Sequence, residues 1–369
     1  MIADDTTTAD AAYRLACEGT ALLWRGDFQN ARQLLQALAR RADKPARKPK
    51  SSAAHTLSPL DTFHLHRQAQ AQRARVLSMV LIPFDADYGI PLRRAPDARL
   101  ACGEAWGSAD VVGGPSIASL RELLGLISAH EWRRKGVEIA SLGKPPTNRI
   151  HPHYGVFSPV RGEYVGLVAV APLPALAEAH ASIRAFDIGT GTGVLSAVLA
   201  RRGVGNVVAT DQDPRALACA QENMARLGLA GQIQLIKTDL FPEGLANLIV
   251  CNPPWLPARA SSPIEHAVYD EDSRMLLGFL NGLTAHLAEG GEGWLIMSDL
   301  AEHLGLRSPD MLAQAIDAAG LQVLGRMDAR PVHPKASDAT DPLHSARSLE
   351  VTSLWRLAPY KNTRGGLSL

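Results

Sequence analysis

Cysteine is scarce in this chain, aromatic residues make up only 5%, and long apolar runs are missing. The four cysteines, Cys17, Cys102, Cys219 and Cys251, are scattered without a C-x-x-C spacing, which argues against a disulfide framework and against a thiolate zinc site. No run reaches the roughly 18 apolar residues of a membrane span, and the opening MIADDTTTAD has no basic stretch leading into an apolar one, so neither a span nor a secretion signal is expected. A cytoplasmic protein with free thiols follows as the expectation. Strong net charge is lacking as well, with 38 Lys and Arg against 37 Asp and Glu.

That balance conceals an asymmetry. Residues 1–150 hold 21 Lys and Arg against 15 Asp and Glu, whereas residues 151–369 hold 17 against 22. The basic clusters are Arg40, Arg41, Lys44, Arg47, Lys48 and Lys50, then Arg133, Arg134 and Lys135. They lack the interleaved aromatics that stack on single-stranded bases, so solvated surface charge is the first reading and tracking of RNA phosphates the second.

At 369 residues and 46% hydrophobic, the chain can bury a large core, and two domains are expected. Residues 1–150 read as an α-rich accessory region. Two packed helices are predicted over Thr8–Arg41 from the apolar faces of Leu22, Leu23, Phe28, Leu34, Leu35 and Leu38, with a break at Gly26–Asp27. A linker rich in Lys, Pro, Ser and Ala is expected at about residues 44–57. A helix over Asp61–Val76, a strand in Ser78–Phe84, and helices over Arg99–Gly107 and Ser116–Arg134 follow.

The richest chemistry lies in residues 151–369. Ala185–Ile188 is suited to a buried strand and runs into Gly189, Thr190, Gly191, Thr192 and Gly193, after which Val194–Arg201 has a helical apolar face. Glycines so spaced let the backbone bend sharply and approach a ligand closely. The spacing is one residue short of the dinucleotide-binding turn. Asp187, two residues before the first glycine, opposes a pyrophosphate and attracts a cation, which favours S-adenosylmethionine over a nicotinamide dinucleotide. Asn206–Thr210 reads as a second strand ending in Asp211, placed to accept ribose hydroxyls. Gln234–Thr238 reads as a third, ending in Asp239 and Leu240, a carboxylate and an apolar side chain suited to an adenine.

Leu245–Val250 reads as a further buried strand, and Asn252, Pro253, Pro254 and Trp255 follow it. The prolines hold this backbone extended, leaving carbonyls that no helix recruits. An amide or aromatic amine has its lone pair delocalised and is a poor nucleophile. Carbonyls of Asn252 and Pro253 accepting its two N–H groups would favour the pyramidal nitrogen as charge develops, with Trp255 stacked on the planar group.

On these motifs, the stretch from Ala185 to Pro257 resembles a class I S-adenosylmethionine-dependent methyltransferase of the small-domain group with an Asn-Pro-Pro-aromatic motif. It is most similar to HemK-like protein glutamine methyltransferases, and next to ribosomal RNA guanine-N2 and adenine-N6 methyltransferases. The resemblance extends over roughly Gly155 to Leu357, where Leu256–Pro257 and the segment Gly155–Val168 also look like parts of HemK-like enzymes. It implies that Asp187, Gly189, Gly191 and Gly193 contact the methionine part of the cofactor, Asp211 the ribose and Asp239 the adenine, and that Asn252 through Trp255 hold the acceptor nitrogen; Thr190, Leu240 and Asn252 are further expected cofactor contacts.

The expected fold is α/β, a doubly wound Rossmann-like seven-stranded sheet, because strands alternate with helices to the end of the chain. A helix over Ser273–Leu287, a strand over Gly293–Ser298, a helix over Pro309–Ala319 and two final strands, Leu321–Ala329 and Glu350–Leu357, which the resemblance implies form an antiparallel pair, complete it. Protein glutamine is the expected acceptor, rRNA or tRNA base nitrogen the alternative; a small-molecule acceptor and a non-catalytic cofactor-binding scaffold remain further readings. The loops Ala258–Asp272 and Arg330–Ser348 carry Glu265, His266, Tyr269, His333 and His344, where a histidine could take the proton lost from the methylated nitrogen; bulk water is the first choice for that task. His151 and His153 lack further ligands at metal spacing, and no metal is expected.

Overall fold

The computed structural model describes residues 1–44, 57–160, 162–175, 183–260, 265, 267–332 and 338–360. The chain divides into two compact units, Met1–Lys135 and Gly136–Leu369.

The first unit runs β1 (Ile2–Ala3), α1 (Ala9–Cys17), β2 (Leu22–Trp24), α2 (Phe28–Ala42), α3 (Pro59–Leu77), β3 (Val80–Phe84), α4 (Arg99–Trp106), α5 (Ala109–Val112), β4 (Ser116–Ser119) and α6 (Leu120–Lys135). Its strands form a four-stranded sheet in the order β1-β2-β3-β4. Two segments expected as helix are strand instead. Gly19, at φ +87°, ends α1, and Leu22 and Leu23 then pair parallel with Val80 and Leu81. Ser116–Ser119 pairs antiparallel with Phe84–Leu81 before α6 begins. Short apolar runs of this kind take their conformation from the neighbour they pair with, not from local period. The linker expected at about residues 44–57 falls, for residues 45–56, outside the described residues.

Asp27 is the electrostatic centre of this unit. It is buried, accepts the Gln29 N–H at 2.8 Å as the cap of α2, and receives Arg93 and Arg94 at 2.8 and 2.7 Å on its other oxygen. Arg41 pairs with Asp10, Arg133 with Glu104 and Arg134 with Glu131. Three arginines of the basic clusters are thus paired with acids within the unit.

The second unit runs β5 (Val137–Glu138), β6 (Arg149–Ile150), α7 (Glu163–Val170), β7 (Arg184–Ile188), α8 (Val194–Arg201), β8 (Asn206–Asp211), α9 (Pro214–Leu227), β9 (Ile233–Lys237), β10 (Ala246–Cys251), α10 (Arg274–His286), β11 (Leu287–Ser298), α11 (Leu300–His303), α12 (Met311–Ala318), β12 (Leu321–Ala329), α13 (His344–Arg347) and β13 (Thr352–Pro359). Strands β5 and β6 pair antiparallel inside this unit, where the sequence reading set the division at residue 150. Seven strands form one sheet in the order β12-β13-β11-β10-β7-β8-β9. Strands β11, β10, β7, β8 and β9 are mutually parallel, and β13 pairs antiparallel with both β11 and β12. This is the doubly wound α/β sheet, with the expected antiparallel pair at one edge.

Period-two alternation puts helices on both faces. Ala185, Leu248, Val250, Trp294 and Ile296 join one buried cluster with residues of α7, α8 and α9. Phe186, Ile188, Ile249, Cys251, Leu295 and Met297 join the other with residues of α10 and α12. From β7 the chain steps outward to β8 and β9, then returns to the other side of β7 as β10. The order of strands therefore reverses between β7 and β10, and in open α/β sheets that crevice, outside the carboxyl ends, is where ligands bind. Among the described residues no helix is long and apolar enough to cross a membrane.

Candidate active site

The glycine turn leaves β7 and the Asn-Pro-Pro-Trp segment leaves β10, the two strands at the reversal point. Asp187 pairs with Val250 and Ile188 with Cys251, so Gly189 and Asn252 leave the sheet side by side at the same end. Sequence reasoning placed both motifs at strand ends; the structure adds that the strands are neighbours.

Gly189, Gly191 and Gly193 take φ values of +71°, +55° and +80°, a region that side chains other than glycine enter at a cost of about 1–2 kcal/mol. Their surroundings differ. A Cβ on Gly189 would collide with the Met275 methyl, and one on Gly193 would lie 2.8 Å from Met224 Cε and 3.2 Å from Ala220 Cβ. A Cβ on Gly191 meets no atom within 4 Å. The middle glycine is thus the one whose backbone faces open space, where a ligand can approach.

Asp187 is 1% exposed. Its Oδ2 accepts Thr190 Oγ1 at 2.7 Å, the Ser196 amide at 3.0 Å and Ser196 Oγ at 2.6 Å, which ties the end of β7 to the first turn of α8. Oδ1 accepts no hydrogen bond from the described residues. Burial pushes the carboxyl above its usual range, against the pull of its donors, and the neighbouring Asp211 charge adds to the rise. Thr190, itself buried, also donates its amide to the Thr210 carbonyl at 2.8 Å.

Asp211 closes β8. Its Oδ2 accepts the Gly191 amide at 3.0 Å and its Oδ1 the Asp213 amide at 2.9 Å. Each oxygen retains a lone-pair direction for a further donor. Burial raises this carboxyl also, again against its two backbone donors. Thr210 Oγ1 donates to the Leu240 carbonyl at 2.7 Å, fixing Leu240 at φ +64°. Leu240 packs against the second core cluster, where its Cδ1 occupies the place a side chain on Gly278 would need. Asp239 differs from the expectation of a carboxylate waiting for an adenine. It is engaged by Arg274 in a two-point pair, at 2.9 and 3.1 Å, and that guanidinium holds its carboxyl below the usual range.

At the clamp, no hydrogen bond among the described residues ends on the carbonyls of Asn252 and Pro253. The Asn252 side chain is held by Trp255, whose Nε1 donates to Asn252 Oδ1 at 3.0 Å. Trp255 is half-buried and packs against both core clusters, so it braces the clamp in addition to any contact with an acceptor. Cys251 just before it is no nucleophile: burial, reinforced by the charges of Asp187 and Asp270, pushes its thiol well above the usual range, and a buried thiol with a raised pKa is inert.

The roles of Asp270 and Met275 are not foreseen by the sequence analysis. Asp270 is 8% exposed, donates its amide to the Leu256 carbonyl at 2.9 Å, and accepts the Met275 and Leu276 amides at the start of α10. Asp272 and Ser273 turn the chain there at φ +57° and +55°. Asp270 thereby fixes Met275, whose methyl lies against Gly189, and links the clamp loop to the glycine turn. An acid shortly before an apolar helical run was the available signal. Of the loop residues considered for proton removal, His266 and His333 lie outside the described residues. His344 begins α13, and its Nδ1 is buried with no hydrogen-bond partner among the described residues. His153 Nε2 pairs with Glu222 Oε2 at 2.7 Å. Among the described residues, no group of three or more His, Cys, Asp or Glu is arranged to hold a metal.

Comparison with known proteins places this geometry. Residues 147–317 match the family described as methyltransferase small domain. A release factor glutamine methyltransferase of Cereibacter sphaeroides is 33% identical over 188 residues, 46% of this chain and 63% of that protein. A ribosomal protein L11 methyltransferase of Pelotomaculum thermopropionicum is 46% identical over 69 residues, 18% of this chain and 22% of that protein. The chain thus spans less than two thirds of the length of these relatives. The stretch that matches the methyltransferase small-domain family, residues 147–317, holds the glycine turn, the three strand-end aspartates and the Asn-Pro-Pro-Trp clamp.

Proposed function

We propose that the chain is an S-adenosylmethionine-dependent N-methyltransferase whose acceptor is a side-chain amide of a protein, glutamine first. The observation that carries this reading is the pairing of β7 with β10, which sets a glycine turn beside two carbonyls free of hydrogen bonds among the described residues. The residues present fit the cofactor. Gly191 opens the backbone, Asp187 Oδ1 has no donor from the described residues, and Asp211 has lone pairs left for hydroxyl groups. S-adenosylmethionine, when bound, supplies a methyl group on a positively charged sulfur.

The chain's own part is electrostatic and geometric. Asp187 and Asp211 put negative charge beside a site for a cation. The Asn252 and Pro253 carbonyls accept the two N–H groups of a planar amide and stabilise the tetrahedral nitrogen more than the planar one, which lowers the barrier without a proton being removed first. Trp255 holds the Asn252 side chain and so limits how far the clamp can drift. Small displacements matter here, because near-attack placement supplies a large part of rate enhancement in group transfer.

Protein is favoured over RNA as the acceptor for two reasons. Both relatives are named for protein substrates, a release factor and a ribosomal protein. Arg41, Arg133 and Arg134 of the basic clusters are paired with acids. The test is to incubate the protein with cofactor labelled on the methyl group and with cell lysate. Label is expected in protein, in a form that releases N-methylated glutamine on digestion. Label in RNA or in small molecules would replace this acceptor, and no transfer at all would remove the enzymatic reading.

A further inference from the structure

One side chain that the reaction does not touch holds the glycine turn from behind. Asn223, on α9, is fully buried beside Met224 and Cys219, and a buried amide is destabilising unless its hydrogen bonds are made. Its Oδ1 accepts the His151 amide at 2.8 Å. Its Nδ2 donates to the His151 carbonyl at 3.3 Å and to the Thr192 carbonyl at 3.0 Å. The amide thus grips both backbone groups of His151 and, at the same time, the residue between Gly191 and Gly193.

Neighbours on the same face of α9 reinforce the grip. Cys219 Sγ accepts the His153 amide at 3.4 Å, and Glu222 pairs with the His153 ring. Residues 219, 222 and 223 are spaced i, i+3, i+4 and share one face of the helix. They bind the strip His151–His153 along α9, and Asn223 reaches on to the glycine turn.

We propose that Asn223 is a positioning residue for cofactor binding: by fixing the Thr192 carbonyl, it sets the path of the turn between Gly191, which faces open space, and Gly193, which is packed against α9. The inference rests on the methyltransferase reading above. Gly191 has open space on its ligand side and Gly193 is packed against α9, so a shift of Thr192 is transmitted toward the open side.

The test uses Asn223→Asp, which has the same shape. A protonated carboxyl keeps one donor for the Thr192 carbonyl, whereas a carboxylate repels both carbonyls. Cofactor affinity is measured by titration calorimetry at about pH 5.5 and about pH 8 and expressed relative to wild type at each pH, which removes the contribution of groups common to both. Those groups are Glu222 and Arg226 on α9, Cys219 beside the amide, His151 and His153 on the strip, and Asp187 and Asp211 at the strand ends. The variant is expected to bind within about threefold of wild type at the lower pH and at least about tenfold more weakly at the higher, since about 1.4 kcal/mol corresponds to tenfold.

In the ligand-free proteins, amide exchange at Gly191 and Gly193 is expected to quicken in the variant at the higher pH only. Equal affinities for variant and wild type at both pH values would overturn the assignment, as would an equal loss at both with amide exchange at the two glycines unchanged. Should the wild type itself fail to bind S-adenosylmethionine, the methyltransferase reading falls and this inference with it. Should the wild type bind and the variant match it, only the role of Asn223 falls.

Discussion

Asp187 and Asn252 stand at the carboxyl ends of adjacent parallel strands, with Asp187 directly across from Val250 and Cys251 across from Ile188. The carboxylate and the clamp therefore open at one end of the sheet, at its reversal point. Had the two strands been separated by another, or run oppositely, the glycine turn and the clamp would serve different surfaces.

Burial makes the charged form of Asp187 costly in the folded protein. Its folded-state pKa is raised, so the folded form prefers the protonated acid. For a raised acid the stabilising contribution is present at low pH and is lost as pH rises through the folded-state pKa. Asp187→Asn keeps an oxygen for Thr190 and Ser196 and removes the charge. The Tm of the variant relative to wild type is expected to be highest near neutral pH and to fall as pH drops toward about 4, while affinity for S-adenosylmethionine falls by tenfold or more at neutral pH. Thermal melts and calorimetry check both; unchanged affinity assigns the carboxylate to the scaffold alone.

The three glycines separate by what surrounds them. Gly193→Ala adds a methyl against Met224 and Ala220 at φ +80° and is expected to destabilise by about 2–3 kcal/mol, from left-handed strain plus overpacking. Gly191→Ala carries the strain alone, about 1–2 kcal/mol. Its larger effect is expected on cofactor affinity, because its methyl enters the open space. Chemical denaturation and calorimetry on the two variants should give opposite rank orders for stability and binding.

Much of this arrangement was legible in the sequence because the signals were local. The strand ahead of Asp187, the glycine turn and the proline-stiffened clamp all follow from short-range chemistry. What was not legible depended on partners distant in the chain. Leu22 and Leu23 are strand because Val80 and Leu81 lie beside them. Asp239 is held by Arg274, 35 residues on. The hold of Asn223 on His151 spans 72 residues, and no helical periodicity announces it.

Both strand-end carboxyls at the turn, Asp187 and Asp211, are raised by burial. They should therefore begin to protonate at a higher pH than ordinary aspartates, and each protonation removes attraction for a cation. Affinity for S-adenosylmethionine is expected to decline as pH falls from about 7 toward about 5, and less steeply for S-adenosylhomocysteine, which lacks the sulfonium charge. Parallel pH profiles for the two ligands check this; identical slopes would remove the charge from the account.

Trp255 binds the Asn252 side chain through one N–H. Trp255→Phe retains an aromatic ring and removes that bond, leaving Asn252 Oδ1 without it. A loss of about 1 kcal/mol in stability is expected, with turnover reduced about tenfold and cofactor affinity unchanged. A methyl-transfer assay beside calorimetry distinguishes this from a role confined to packing, which would lower stability and leave turnover per folded molecule intact.

Asn252 carries the central claim, that the Asn252 and Pro253 carbonyls stabilise the reacting nitrogen and that the Asn252 side chain, tied to Trp255, keeps that backbone in place. The most direct test is methyl transfer by Asn252→Ala in the same preparations used for cofactor titration. Turnover is expected to fall by about a hundredfold, because a backbone no longer fixed by the Asn252 side chain misplaces its carbonyls from the reacting nitrogen, while affinity for S-adenosylmethionine stays within about threefold of wild type. Wild-type turnover in that variant would contradict the account.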